Sequence, residues 1–349
     1  MSVKICLSIL ERDEQFNRME KELSEVATVD VVDLNVSSLS GYDIFIGKKL
    51  SKEVLLTADN LKAIFAYKTG VDDFPLDEIK NKGIILVKSH ADAHFIAEYA
   101  IGLAISLVNR ITEFDRKFRA GIWYDTEIPY WRSFFDMKIG LLGYGHIGKE
   151  VHNLLKPFDN IKVYTIDRGK DYTDIELVSS VEELCEKTDM LILSLPKTPE
   201  TNEILNKKTF SLLKGKYIVN VGRSNAINQN DFFEALGGNL KMAKIHELEV
   251  EGKKDVHVIL SEAERSNYLA GAAIDTWKTK PEKGNTDFYP FDKNNGMDFT
   301  IMDNIVLSPH QAMKVADGHK NYVEDITDKV KRYIAGEDIP DKVDLERGY

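Results

Sequence analysis

The chain has 349 residues, 43% of them hydrophobic and 30% charged, with a formal net charge of −11. That length suits two domains with ample buried cores, and no cluster of basic residues offers itself to a nucleic-acid backbone. No apolar run approaches membrane-spanning length, and Cys6 and Cys185 lie in or beside apolar segments, which reads as buried thiols in a reducing compartment. The opening MSVKICLSILERDE is too short and too charged for a signal peptide, so a cytoplasmic protein is expected.

Taken in order, Val3–Ile9 predicts a strand, Glu14–Val26 a helix and Val29–Leu34 a second strand. Further strands are expected at Asp43–Ile46, Leu61–Tyr67 and Gly83–Val87, with helices between them. Such alternation implies a parallel sheet covered on both faces. One loop stands out, Lys68-Thr69-Gly70-Val71-Asp72-Asp73, because it leaves the carboxyl end of a strand, where parallel sheets bind ligands. Thr69, Gly70 and Val71 are suited to present backbone N–H groups to a small carboxylate. Equally, the segment reads as a plain strand-to-helix turn with Asp72 or Asp73 near a cap.

From Ala91 to Ala120 apolar residues recur at helical spacing (Phe95, Ile96, Tyr99, Leu103, Leu107, Ile111, Phe114, Phe118), which predicts one long helix. Helices of this length bridge domains or build subunit interfaces. His90 and His94 stand near its start without a carboxylate or cysteine cluster, and no metal site is expected from them.

The stretch Lys138–Asp167 organises the rest of the chain. An apolar strand ends at Gly143-Tyr144-Gly145-His146-Ile147-Gly148, an amphipathic helix carries Ile147, Val151, Leu154 and Leu155 on one face, and a second strand ends on Asp167. Gly143 permits the tight turn, Gly145 lets the backbone approach a pyrophosphate, and Gly148 lets helix and strand pack closely. The helix start offers N–H groups and a favourable dipole to phosphate, with His146 and Ile147 in its first turn. Asp167, nineteen residues past Gly148, is placed to accept hydrogen bonds from the adenosine ribose. Its carboxylate would repel a 2′-phosphate, so NAD is expected over NADP.

The βα rhythm then resumes. Helices are predicted at Val181–Lys187, Lys207–Leu213 and Asn228–Leu236, and strands at Met190–Leu195 and Tyr217–Val221. Leu240–Ser266 departs from the rhythm and reads as an insertion, a strand or hairpin around Val256–Leu260 plus a short helix. Ala272–Ile274 and Ile305–Leu307 are the last strands, ending near Asp275 and His310. A final helix carries Tyr322, Val323, Ile326, Val330, Tyr333 and Ile334 and is expected to return to the first domain.

Arg223, Asp275 and His310 thus each come after a strand of one sheet. An arginine there binds a substrate carboxylate and carbonyl, and a histidine exchanges a hydroxyl proton. Together with a nicotinamide, this suggests interconversion of a 2-hydroxy and a 2-keto acid.

On these residues the sequence resembles the D-isomer-specific 2-hydroxyacid dehydrogenases over nearly its whole length. GYGHIG with Asp167 is similar to that family's NAD fingerprint, and LPKTPETNEIL (195–205) to its loop under the cofactor. VNVGRSNAIN (219–228) resembles the segment of the catalytic arginine, with Ser224 where a glycine is usual. LAGAAIDTW (269–277) resembles the segment whose aspartate contacts the nicotinamide side, and LSPHQA (307–312) that of the catalytic histidine. KTGVDD is similar to the substrate-carboxylate loop, and FIAEYAIGL to the start of the interdomain helix. The resemblance implies catalytic roles for Arg223 and His310, and substrate contacts for Thr69, Gly70, Val71 and Arg223. It implies cofactor contacts for Pro196, Thr201, Val221, Gly222 and Asp275 beside the glycine loop. It also implies a two-domain α/β fold: a flavodoxin-like substrate domain (1–107 and 311–349, completed by the C-terminal helix) and a Rossmann NAD-binding domain (108–310). A homodimer paired through the cofactor domain is implied by the same likeness.

One departure is notable. The family places a glutamate before a proline, five residues after the aspartate, to pair with the histidine. Here Lys280 precedes Pro281, and Glu282 is out of step. Two functions therefore compete, an NAD-dependent dehydrogenase and a catalytically weak NAD(H)-binding regulatory or scaffold protein of the same fold.

Overall fold

A computed structural model describes residues 2–9, 12–123, 130–169, 172–250, 260–278, 291–292, 297–316 and 318–349. The chain forms two units, Met1–Phe95 with Met313–Tyr349, and Ile96–Ala312.

The first unit runs β1 (Lys4–Ser8), α1 (Glu14–Ser24), β2 (Thr28–Val32), β3 (Ile44–Gly47), α2 (Lys52–Leu56), β4 (Ala63–Ala66), α3 (Leu76–Asn81) and β5 (Ile85–Lys88). The five strands are all parallel, in the order β2-β1-β3-β4-β5, which is the flavodoxin-like order. Alternate residues supply two cores: Ile5, Leu7, Ile44, Ile46 and Phe65 on one face, Cys6, Phe45, Ile64 and Ala66 on the other. The strands can be apolar on both sides because helices cover both. The Asp13 side chain caps α1 by accepting from Phe16 N at 2.9 Å, which turns Phe16, Met19 and Leu23 toward the sheet. Truncating Leu23 to Ala would cost about 2–5 kcal/mol.

The second unit takes up α4 (Ala93–Val108), α5 (Ile111–Arg119), β6 (Lys138–Leu142), α6 (His146–Leu155), β7 (Lys162–Ile166), β8 (Glu176–Val178), α7 (Val181–Lys187), β9 (Met190–Leu193), α8 (Lys207–Ser211), β10 (Tyr217–Asn220), α9 (Gln229–Ala235), α10 (Gly238–Val250), α11 (Glu262–Arg265), β11 (Gly271–Ile274), the short pair β12 (Phe291–Asp292) and β13 (Met297–Asp298), and β14 (Ile305–Leu307). Its seven-stranded sheet has the order β14-β11-β10-β9-β6-β7-β8, again wholly parallel. Finally α12 (Gly318–Ile334) returns to the first unit, where Tyr322, Val323, Ile326 and Val330 join the core beside Phe16 and Phe65.

Three sequence expectations change. The helix read across Ala91–Ala120 is two helices, because Arg110 adopts a left-handed backbone (φ 57°) and the axes bend by 61°. The Arg110 guanidinium pairs with the buried Glu113 of the next turn at 2.5 Å, and Arg132 N takes the Val108 carbonyl left at the break. The division between units falls within α4 rather than at residue 107. Tyr99 bonds Ser308, and Leu107 lies against Gly271, so most of that helix packs with the second sheet. The insertion at 240–266 is helical where it is described: α10 and α11 are clamped by Lys241 and Arg265, whose cations both reach Asp303, at 2.7 and 2.5 Å. Val256–Ile259, the strand-like run, lies outside the described residues, whereas Leu260 is buried.

Candidate active site

The glycine turn after β6 shows why those residues are glycine. Gly143 has φ 109°, a region closed to most side chains. A Cβ on Gly148 would stand 2.2 Å from the Gly143 carbonyl oxygen, so α6 could not begin so close to the strand. Ser194, past the end of β9, donates its hydroxyl to that same carbonyl at 3.0 Å and pins the turn. Nothing in the sequence pattern singled Ser194 out. Beside the turn, a Cβ on Gly145 would meet nothing within 4 Å, and the α6 N-cap makes no side-chain bond. An open cradle beside uncapped first-turn amides fits the pyrophosphate of a dinucleotide. His146 is exposed there, Ile147 half-buried and Gly148 buried.

Asp167 is exposed just past β7, and its Oδ1 accepts from Gly169 N at 2.8 Å, which fixes the carboxylate at the tip of the strand. Tyr172 steadies the same loop by accepting from Arg168 N at 2.9 Å. Behind the glycine turn, Tyr144 OH and His152 Nδ1 lie 2.7 Å apart. Burial holds the His152 imidazole below its usual pKa of 6.5.

Pro196 and Thr201 lie in the loop beyond β9. The Thr201 hydroxyl donates to the Pro196 carbonyl at 2.7 Å and accepts from Thr198 N at 2.9 Å, so it shapes the loop itself. Val221 and Gly222 are buried directly after β10, where Asn220 Oδ1 accepts from Gly222 N at 3.0 Å and Asn220 Nδ2 donates to the Arg223 carbonyl at 3.2 Å. This fully buried asparagine ties both sides of the turn that carries Arg223, itself half-buried.

Asp275 follows β11 directly. It is 1% exposed, and its carboxylate accepts from the Ser308 hydroxyl, from Gln311 N at 2.8 Å and from Ala312 N at 3.2 Å. These bonds hold it to the 308–312 segment. Tyr99 OH lies 2.9 Å from Ser308 Oγ, and Trp277 Nε1 donates to Ser308 O at 3.0 Å. Within this frame His310 has φ 59°, a left-handed conformation that non-glycine residues avoid. Such a conformation costs of order 1–3 kcal/mol and persists only where the surroundings over-determine it. The frame supplies that, and it was invisible in the sequence because serine, tyrosine and tryptophan carry no motif there.

Asn220, Ile274 and Leu307 are in register on β10, β11 and β14. Asn220 and Leu307 are therefore two strands, about 10 Å, apart, and Arg223 and His310 follow them at the same end of the sheet. Lys280, Pro281 and Glu282 lie outside the described residues.

In the first unit, the loop Lys68–Asp73 comes after β4. The Thr69 hydroxyl is 2.6 Å from Asp92 Oδ1, and the Tyr322 hydroxyl donates to the other oxygen of that buried carboxylate. Asp92 thus ties the loop to α12, a link that no sequence pattern signals. Val71 is buried, with its carbonyl accepting from Phe74 N at 3.1 Å. The next helix, α3, has Pro75 at its N-cap, without a side-chain cap bond.

Residues 101–251 match the model of the D-isomer specific 2-hydroxyacid dehydrogenase NAD-binding domain. Among curated proteins, the chain is 26% identical over 322 residues to D-3-phosphoglycerate dehydrogenase of Methanocaldococcus jannaschii, covering 90% of this chain and 54% of that one. It is 27% identical over 312 residues to glyoxylate reductase of Thermofilum pendens, covering 85% and 79%. The chain thus spans about half the length of the phosphoglycerate dehydrogenase it matches. Among solved structures, the PH0520 protein of Pyrococcus horikoshii superposes with a TM-score of 0.74 at 24% identity, covering 99% of this chain and 96% of that one. D-lactate dehydrogenase of Aquifex aeolicus does so at 0.71 and 21%, covering 95% and 96%. Residues 101–251, which hold the glycine turn and Arg223, are thus similar to the NAD-binding domain of the D-isomer specific 2-hydroxyacid dehydrogenases.

Proposed function

We propose that this protein is an NAD-dependent oxidoreductase that interconverts a D-2-hydroxy acid and the corresponding 2-keto acid. The observation that carries this reading is the descent of Arg223 and His310 from the same end of the sheet whose glycine turn opens α6. When bound, the nicotinamide supplies or accepts the hydride. Arg223 grips the substrate carboxylate with its planar fork and polarises the carbonyl oxygen. His310 gives its proton to that oxygen in reduction and takes it back in oxidation. The role we assign to Asp275, Ser308 and Tyr99 is to hold the imidazole in its left-handed loop. We assign the backbone of Thr69, Gly70 and Val71 to binding a small carboxylate. Asp167 favours NAD over NADP. Loss of NADH absorbance against a panel of 2-keto acids tests the reading. Turnover of at least one member is expected, whereas NADH binding without turnover would make the chain a regulator instead.

We further propose a cytoplasmic homodimer. Both cysteines are free and buried, in keeping with a reducing compartment. Ile111, Phe114, Phe118 and Ile122 form an exposed stripe at helical spacing along and just beyond α5, continued by Trp123 at 86% exposure and Tyr130 at 100%. So much apolar surface in one stretch calls for a partner, and a second copy of the same face meets it isologously. Sedimentation of Phe118→Asp should give a monomer where the native chain gives a dimer.

A further inference from the structure

Asp167 is an exposed acid, yet the backbone on both sides of it is tied down by a side chain that the proposed reaction does not use. The Tyr172 hydroxyl accepts from Arg168 N at 2.9 Å and donates to Ile166 O at 3.3 Å, so one oxygen bridges the two residues that flank the acid. Three successive amides are thereby accounted for. Asp167 N donates to Val178 O at 2.9 Å and continues the ladder to β8, Arg168 N goes to Tyr172, and Gly169 N goes to Asp167 Oδ1 at 2.8 Å. The last bond reaches from a side chain to the backbone two residues on, and it forms only while the chain reverses at Arg168. Gly169 supports the reversal with φ 66°, a region open to glycine. Of the three ties, only that of Arg168 comes from a side chain outside the turn.

Tyr172 is itself seated. Its ring lies 5.6 Å from that of Tyr144 in the glycine turn, and the Tyr144 hydroxyl is 2.7 Å from Nδ1 of the buried His152 on α6. A line of contacts therefore runs from the helix through the phosphate turn to the loop of the ribose acid, all within the second unit. A carboxylate that swings freely must be immobilised when a ligand arrives, and that ordering subtracts from affinity; one already fixed avoids the loss. We propose that Tyr172 is a positioning residue. Its hydroxyl holds the Ile166–Gly169 turn in the shape that presents the Asp167 carboxylate to the adenosine ribose. It thereby sets part of the affinity for NAD(H) and part of the discrimination against NADP(H). This rests on the dinucleotide reading and adds to it a residue that acts through Asp167.

The test is a double-mutant cycle on the native chain, Tyr172→Phe, Asp167→Ala and the double variant, read by fluorescence titration with NADH and with NADPH. Phenylalanine keeps the ring against Tyr144 and removes only the hydroxyl. In the native background Tyr172→Phe should weaken NADH binding by about three- to tenfold, as for one neutral hydrogen bond. The ratio of the NADPH to the NADH dissociation constant should shrink by about threefold, part of what loss of the carboxylate itself removes. In the Asp167→Ala background the same substitution should change NADH affinity by less than about 1.5-fold, because residues that act through one contact do not add. Equal losses in both backgrounds would overturn the proposal, by giving the hydroxyl a role apart from the acid. An unchanged NADH affinity in Tyr172→Phe would overturn it too. If the native chain binds neither dinucleotide, the cofactor reading is what has failed. Positioning is then decided by amide hydrogen exchange at Gly169, whose partner is the carboxylate: faster exchange in Tyr172→Phe than in the native chain upholds it, and equal exchange ends it.

Discussion

The two sheets are made from the same repeating unit, a parallel strand with a helix after it, yet their carboxyl edges are furnished in opposite ways. The edge of the second unit is made of backbone. Glycines clear space, Ser194 and Asn220 pin the turns, and α6 offers bare amides. The edge of the first unit is made of side chains, with Lys48, Lys68, Thr69 and Asp92 crowding one end of β3, β4 and the segment after β5. A long dinucleotide with charge spread over phosphates needs side chains removed, whereas a small acid needs a few charges held still. The contrast predicts that backbone damage at the glycine turn and loss of a charged side chain harm different ligands.

The largest effect should come from Arg223. In Arg223→Ala, kcat/KM for a keto acid should fall by roughly 100- to 1,000-fold, the loss expected when one partner of a desolvated charge pair is removed. NADH affinity by fluorescence titration should stay within about twofold, because Arg223 is assigned to the acid. A parallel collapse of NADH binding would move it to the cofactor and blur the comparison.

Gly148→Ala reverses the selectivity. Its Cβ would strike the Gly143 carbonyl, a backbone atom that cannot step aside. NADH affinity should drop by up to about 100-fold, in line with overpacking costs of 1–3 kcal/mol. Unchanged NADH binding would mean that the turn relaxes and is less tightly built than its contacts imply.

Asp167→Ala should sharpen the contrast more modestly. Discrimination between NADH and NADPH should narrow by about tenfold, since a carboxylate near a phosphate is worth on the order of 1–2 kcal/mol at a solvent-exposed strand end. A native preference for NADPH would contradict the role given to this residue.

The smallest effect concerns pH. His152 is neutral in the folded chain because burial depresses its pKa, whereas the unfolded chain takes up a proton on it below about 6.5. Its contribution to stability is therefore full above that pH and declines as the pH falls toward the depressed folded value. Melting temperatures of the native chain and His152→Gln, compared between neutral and mildly acidic pH, should converge as acid is added. Parallel curves would show that the imidazole is not buried in its neutral form.

How far the sequence alone reached depends on where the information lies. Strands apolar on both faces, the glycine spacing and the acid past β7 are local patterns, and the structure has each of them near its expected place. The break at Arg110 has no such signature: apolar spacing continues through Asn109 and Arg110, and only the tertiary pairing with Glu113 and the capping of Val108 by Arg132 reveal it. Residues Leu240–Val250 looked irregular because Lys241 occupies a position facing inward, and its partner Asp303 lies far along the chain. The frame around His310 is similar in kind. Asp275 was legible as a strand-end acid, but its use depends on Ser308, Gln311 and Ala312, which the motif does not encode as acceptors or donors.

The return of α12 bears on how the molecule comes into being. The first unit is interrupted between Phe95 and Met313, and the apolar seat formed by Phe16, Met19 and Phe65 awaits a helix encoded near the other end. At about 5–20 residues per second, a ribosome takes on the order of 10–40 s to deliver the intervening segment. The second unit, uninterrupted in sequence, is complete before that seat can be filled. Nascent chains should thus acquire a protease-resistant Rossmann core while their N-terminal half is still exposed to chaperones.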